Sequence, residues 1–241
     1  MPIREPEVSS QGLWQDSRMA ECGFFGGLTK RSMGNLKDLQ VRKRVFSEIL
    51  GLSEKTSRVL SQVHGTKIFE AEEGGEKILE GDGWVCRQEG IIPIVLVADC
   101  VPLFIWSRKN PVFGVFHAGW RGMAKSFAYI AATEMQRLFN VKAEELLASA
   151  GPHIGSCCCE VGPEIKEFFP SEDFIEDKKG LRLDLNLEAK NQLLRAGLSE
   201  NSIYLSSECT VCSPGYFSNR QGDSERMAAF ITLKEGPLCP K

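Results

Sequence analysis

The centre of the chain carries three short runs of apolar, β-branched and aromatic residues, Ile91–Ala98, Leu103–Trp106 and Val112–Phe116, divided by turn residues such as Lys109, Asn110 and Pro111. Runs of this length and composition are expected as buried strands. The second is expected to begin no earlier than Pro102, because proline has no N–H for a central ladder. Beyond Gly122 the period changes: Met123, Phe127, Ile130, Ala131, Met135 and Leu138 mark one face of a long amphipathic helix beginning just after HAGWR. Similar patterns predict a helix over Leu36–Leu50 closed by Gly51, a short helix over Pro163–Phe169, and a helix over Leu187–Ala196 with Asn186 as N-cap and Gly197 as stop. Strands are expected at Lys67–Ala71, Leu146–Ala150, Ile203–Ser206 and Met227–Leu233. The acidic, glycine-rich stretch Glu72–Asp82 reads as a surface loop, with Asp82 a turn residue. Strands and helices mix without strict βαβ alternation, so the expected class is α+β rather than a Rossmann fold. Residues 1–20 read as an irregular N-terminal segment and 21–241 as a single domain.

Composition narrows the function. A formal charge of -3 and 25% charged residues leave no basic footprint for nucleic acid. The N-terminus lacks a signal-peptide pattern, and no apolar run approaches the roughly 20 residues needed to cross a bilayer. A cytoplasmic protein without a membrane or nucleic-acid partner is expected, and a monomer, since no heptad or long apolar stripe announces an interface. Nine cysteines in a long chain without a secretion signal read mainly as free thiols, three of them consecutive at Cys157, Cys158 and Cys159. Cys209 and Cys212 have C-x-x-C spacing, but no second C-x-x-C matches them, so the metal or redox signal is weak.

The chain has three histidines, and two stand in glycine-bordered blocks: His64 in QVHG and His117 in HAGWRG. With Cys100 of VADC they offer two imidazoles and one thiolate, a ligand set for zinc with one position left open. Copper suits the same donors less well, because blue-copper centres add an axial ligand such as Met and none stands within these blocks. Zinc lowers the pKa of a bound water to about 7, which would give a nucleophile at neutral pH. Taken singly, His64 is as readily a structural histidine and Cys100 a buried thiol. Asp99, at the end of a buried strand, is expected either to orient a ligand or act as general base, or merely to cap the turn. Trp120 offers a stacking surface and Arg121 a two-pronged phosphate grip, the alternative being an ordinary surface pair. His153 reads as a hydrogen-bond donor in the loop GPHIGSCCCEVG.

The blocks QVHG, DGWV, VADCVPLF, HAGWRG, GPHIGSCCCEVG and RMAAFI together resemble the YfiH/YlmD family, also called the laccase-domain or multicopper polyphenol oxidase family. The resemblance implies one α+β domain, a central β-sandwich of mixed sheets flanked by helices. It also implies a zinc site at His64, Cys100 and His117, with catalytic roles for Asp99, Cys100 and Arg121. Substrate contacts would come from Asn35, Trp120, Arg121 and Arg220. The implied activity is purine nucleoside phosphorolysis, on adenosine, inosine, guanosine and methylthioadenosine, together with adenosine deamination. The alternative is a cysteine or zinc hydrolase of a cell-wall precursor, with Cys100 as nucleophile and His117 as base. A true laccase is disfavoured by counting, because three histidines cannot ligate a four-copper assembly. The chain departs from the family pattern at Val97 (usually Thr), at Cys159 and Asn219 (usually Tyr) and at His153 (usually smaller), which bears on substrate choice.

Overall fold

A computed structural model of the protein describes residues 7–8, 12–36, 38–52, 57–72, 78–178 and 180–234. In chain order the strands are β1 Glu7–Val8, β2 Leu13–Gln15, β3 Phe24–Thr29, β4 Ser57–Ser61, β5 Ile68–Glu70, β6 Leu79–Glu80, β7 Gly83–Cys86, β8 Ile92–Val97, β9 Val101–Ser107, β10 Phe113–Ala118, β11 Leu146–Ala150, β12 Phe174–Asp177, β13 Gly180–Leu183, β14 Ile203–Leu205 and β15 Met227–Leu233. The α-helices are α1 Ser17–Glu21, α2 Leu39–Arg44, α3 Trp120–Met123, α4 Phe127–Phe139 and α5 Leu185–Arg195. Strands β1-β2-β3-β15-β8-β4-β6 form a seven-stranded mixed sheet, and β14-β11-β9-β10-β7-β5 a six-stranded one.

Period-two alternation places the two sheets face to face. In β15, Met227, Ala229 and Ile231 join Val95 and Val97 of β8 against Phe104, Trp106, Phe113 and Val115 of the six-stranded sheet. The alternate residues of the first sheet, Ile92, Ile94, Ala228 and Phe230, pack beneath Leu36, Val45, Phe46 and Leu50. On the far side of the second sheet, Val101, Leu103, Ile105 and Phe116 lie under Phe127, Ala131 and Met135 of α4 and Ala189 and Leu193 of α5. Both faces of each central strand are therefore apolar, which is why those runs show no polar alternation. The α+β sandwich flanked by helices is the architecture found.

Several local expectations need correction. Residues 13–20 are not irregular: Leu13 and Trp14 are buried in β2, Asp16 caps α1, and Arg18 reaches Ala148 O at 3.1 Å. The helix after HAGWR begins at Trp120 and is broken after Met123 by Ser126 at φ +60°, so one expected helix is two. The cap of α5 is Asp184, whose carboxylate accepts the Leu187 N–H at 3.0 Å, not Asn186. The helix over 36–50 starts at Leu39 and winds into a π-helical turn at Val45–Ile49. An antiparallel pair, β12–β13, lies between the expected helices 163–169 and 187–196, where no element was expected.

β9 begins at Val101, one residue earlier than expected, so Pro102 lies inside the strand. Its carbonyl accepts the Gly151 N–H at 2.9 Å. The Gly151 carbonyl, for which proline has no N–H, instead accepts Nδ1–H of the buried His153 at 2.8 Å. A side chain thus supplies the donor that proline withholds from the sheet. Burial holds the His153 pKa below its ordinary value, so the ring is neutral with its proton on Nδ1.

Candidate metal centre and cleft

The three ligands named from sequence converge at the seam between the sheets. Cys100 sits in the tight passage from β8 to β9, which crosses from one sheet to the other, and His117 lies near the end of β10. His64 lies in the loop after β4 with φ +58°. One donor atom from each of His64, Cys100 and His117 lies within 4.8 Å of the others, close enough for one ion to be shared. The rings of His64 and His117 meet edge to face with centroids 4.8 Å apart. Gly119 allows this approach, because a Cβ there would stand 2.9 Å from Cys100 Sγ and 3.2 Å from His64 Cδ2.

Asp82, read from sequence as turn chemistry, is the buried keystone of the centre. Its Oδ1 accepts from His117 Nδ1 at 2.9 Å and from the His64 N–H at 2.9 Å, and its Oδ2 accepts the Gly65 N–H at 2.7 Å. One carboxylate therefore fixes the His117 tautomer, leaving Nε2 for a ligand, and holds the loop that presents His64. The signal that could have found it is the wholly buried strand Gly83–Cys86 that follows directly. Gln62 ties the same loop to β8, accepting the Leu96 N–H at 2.7 Å and donating to its carbonyl at 2.8 Å.

The electrostatics suit a metal ligand set. Burial alone would raise the Cys100 thiol, but hydrogen bonds with His117 and His64 outweigh it and bring the pKa down to about 6. Burial would lower His117, yet its bonds with Asp82 and Cys100 raise it to about 9. Burial pushes Asp82 up, but His117 and the Gly65 N–H more than offset this and hold it below the usual carboxylate range. Without an ion the centre is a thiolate–imidazolium pair anchored by a carboxylate.

This centre opens into a cleft of about 830 Å³, lined on its apolar side by Leu60, Leu96, Ile154, Val161, Ile165 and Trp120. Arg121, Arg220 and Arg226 line it as well, opposed by Glu160 and Glu164. Arg121 lies over the Trp120 ring, 4.3 Å from its centroid. Arg220 donates to Cys158 O at 3.2 Å and Glu160 O at 2.9 Å. Cys159 and Asn219 line the cleft too, so two of the family departures fall on its wall.

Two expected site residues are placed differently. Asp99 borders the cleft, but its carboxylate accepts from Thr210 Oγ1 at 2.6 Å, Ser218 Oγ at 3.1 Å and the Arg220 N–H at 2.7 Å. With both oxygens so engaged it braces the 210–220 loop. Asn35 is exposed in the loop before α2 and is not among the residues lining the cleft.

Known proteins place the chain. The family model described as "Multi-copper polyphenol oxidoreductase laccase" matches residues 32–234. "Purine nucleoside phosphorylase YlmD" of Geobacillus stearothermophilus is 29% identical over 82% of this chain and 80% of its own length. A purine nucleoside phosphorylase of Aquifex aeolicus is 32% identical over 71% of this chain and 80% of its own. The crystal structure of the Geobacillus YlmD superposes with a TM-score of 0.85 at 26% identity, covering 96% of this chain and 99% of that one. Bacillus licheniformis YfiH shares the fold, with a TM-score of 0.87 at 23% identity over 96% of this chain and 100% of its own. Sequence agreement over most of each curated relative and fold agreement over nearly all of each solved one lead to the same place: this protein belongs to the YfiH/YlmD family.

Proposed function

We propose that the chain is a zinc-dependent purine nucleoside phosphorylase that also deaminates adenosine. The observation that carries the reading is the juxtaposition of the His64–Cys100–His117 centre with a half-apolar, arginine-lined cleft of about 830 Å³, a volume in the range of small-molecule sites. Relatives over most of the chain are named purine nucleoside phosphorylases, which supports the substrate class. Two imidazoles and a thiolate with a carboxylate behind one imidazole fit zinc, and His64, Cys100 and His117 would hold it. When bound, the ion supplies Lewis acidity at the inner end of the cleft.

The chain's own residues account for the rest. The purine lies against Trp120 and the apolar wall, where burying a flat ring is favourable. Phosphate is held by Arg121 with Arg220 and Arg226, which also line the cleft, and their charge offsets its own and keeps it near the ribose. The bond from ribose C1′ to the purine breaks as one forms between C1′ and a phosphate oxygen, and the proton given up by hydrogen phosphate passes to the departing ring nitrogen, giving free base and ribose 1-phosphate. The test is phosphate-dependent base release from a panel of purine nucleosides, with zinc measured on the same sample and Cys100→Ala run beside it. Base release that needs phosphate and is lost in the variant together with the zinc of the cleft centre is the expected result; undiminished turnover in Cys100→Ala overturns the proposal.

A second reading rests on the chain Cys100–His117–Asp82, in which a lowered thiol meets an imidazole oriented by a carboxylate. That is the order of a cysteine hydrolase, with Cys100 as nucleophile on a cell-wall precursor. Zinc coordination would occupy the thiolate lone pair, so one firmly bound zinc at Cys100 in the active protein excludes it.

A further inference from the structure

We propose that the protein carries a second metal site, a structural zinc held by Cys157, Cys158, Cys209 and Cys212. The assignment rests on side-chain geometry alone and is independent of the function proposed for the cleft. The four Sγ atoms lie within 4.8 Å of one another. Cys158 and Cys212 are 3.2 Å apart and Cys157 and Cys212 3.7 Å apart. Four thiolates around tetrahedral zinc at about 2.3 Å stand roughly 3.8 Å from each other, so separations of 3.2 and 3.7 Å fall at or a little below that spacing and well above the roughly 2 Å of a disulfide.

The missing partner of the Cys209-x-x-Cys212 pair is therefore not another C-x-x-C. It is the adjacent pair Cys157–Cys158, brought from more than fifty positions earlier by the fold.

The backbone builds the site before any ion arrives. His153 and Cys209 form a parallel bridge, and Thr210 N–H donates to His153 O at 2.9 Å, so the two segments are already laid side by side. Cys209 Sγ accepts the Gly155 N–H at 3.3 Å and also receives the N–H groups of Val211 and Cys212. Amides turned toward a sulfur favour its thiolate form, the form that ligates. A Cβ at Gly155 would lie 3.3 Å from both Cys157 Sγ and Cys209 Cβ, so glycine there lets the segments close. Binding converts four thiols to thiolates, releasing up to four protons and leaving a net charge of about 2− on the zinc centre. Two guanidinium groups border it: Arg182 donates to Ser156 O at 2.9 Å and Arg220 to Cys158 O at 3.2 Å.

Such an ion would pin one wall of the cleft. Cys159 and Glu160, which follow two of the thiols, line the cleft, and Thr210, between the other two, braces Asp99 beside Cys100. The site is a fastener for the loops rather than a second reactive centre.

Elemental analysis of the purified protein is expected to give about two zinc ions per chain, falling to about one in Cys212→Ser and separately to about one in His64→Ala. Cobalt added to metal-free, reduced protein is expected to give the strong thiolate-to-cobalt charge-transfer absorption of a four-sulfur site in wild type and in His64→Ala. Zinc-edge absorption spectroscopy of untreated wild type, which needs no variant to fold, is expected to show a sulfur-dominated shell. Zinc content unchanged in Cys212→Ser, iron in place of zinc at these thiols, or a disulfide among them in the native protein would each overturn the proposal.

Discussion

Asp82→Asn is the perturbation that tests the centre most directly. The carboxylate accepts four N–H donors: His117 Nδ1 and the His64 backbone at 2.9 Å each, Gly65 at 2.7 Å and Val63 at 3.4 Å. Asparagine keeps one acceptor and turns a donating NH2 toward the other pair. If the oxygen stays on His117, Gly65 loses a short charge-assisted bond and faces a second donor, a cost of about 1.5–3 kcal/mol. If the amide flips, its NH2 meets His117 Nδ1, forcing the proton to Nε2 and removing that nitrogen as a ligand. Both arrangements weaken the metal site, and loss of such an outer partner typically lowers affinity by about 10–100-fold, or roughly 1.4–2.8 kcal/mol. Zinc affinity is read by competition with a chromophoric chelator, and stability of the metal-free variant by denaturant unfolding. Zinc affinity within about threefold of wild type, whatever happened to stability, would refute the assignment of Asp82 as the residue that orients His117.

Other perturbations separate the parts of the site. Alkylation of Cys100 in metal-free protein, followed on its own peptide by mass spectrometry, is expected to show a midpoint near pH 6, because the folded pKa is lowered and the thiolate is lost only below it. His117→Gln should move that midpoint upward, and added zinc should slow alkylation at every pH. Gly119→Ala places a methyl 2.9 Å from Cys100 Sγ and is expected to lower zinc affinity at least about tenfold while leaving far-ultraviolet dichroism unchanged. Thr210→Val removes a 2.6 Å bond to buried Asp99 and should cost about 1–3 kcal/mol in denaturant unfolding, with the zinc content of the cleft centre retained.

The convergence of His64, Cys100 and His117 was legible because imidazole and thiolate are scarce and each stood in a short block with glycine or a strand end beside it. The central strands were legible because both of their faces are buried, which leaves a continuous apolar run. Asp82 was not, since an aspartate in an acidic, glycine-rich stretch looks identical whether it caps a turn or is drawn beneath a histidine 35 positions later. The four-thiol cluster was hidden for a related reason: C-x-x-C is recognised by a matching C-x-x-C, and adjacent cysteines do not provide one. Helix ends were missed where tertiary contacts override local preference. At α4 the buried Gln192 accepts the Ala128 N–H at 2.9 Å and donates to Met123 O at 2.8 Å, bridging the break between α3 and α4 from another helix.

The ligands of the cleft centre are divided between the layers: His64 follows a strand of one sheet, His117 ends a strand of the other, and Cys100 sits on the crossing between them. Sliding one layer over the other would pull the donors apart, so an ion shared among them would act as a rivet through the sandwich. Adaptation to different molecules would then fall to the segments 151–167 and 206–226, which carry Ile154, Cys159, Asn219 and Arg220 of the cleft wall and none of the three donors. Transplanting those two segments between family members should therefore carry preference for one substrate over another along with them, on a scaffold that remains the same.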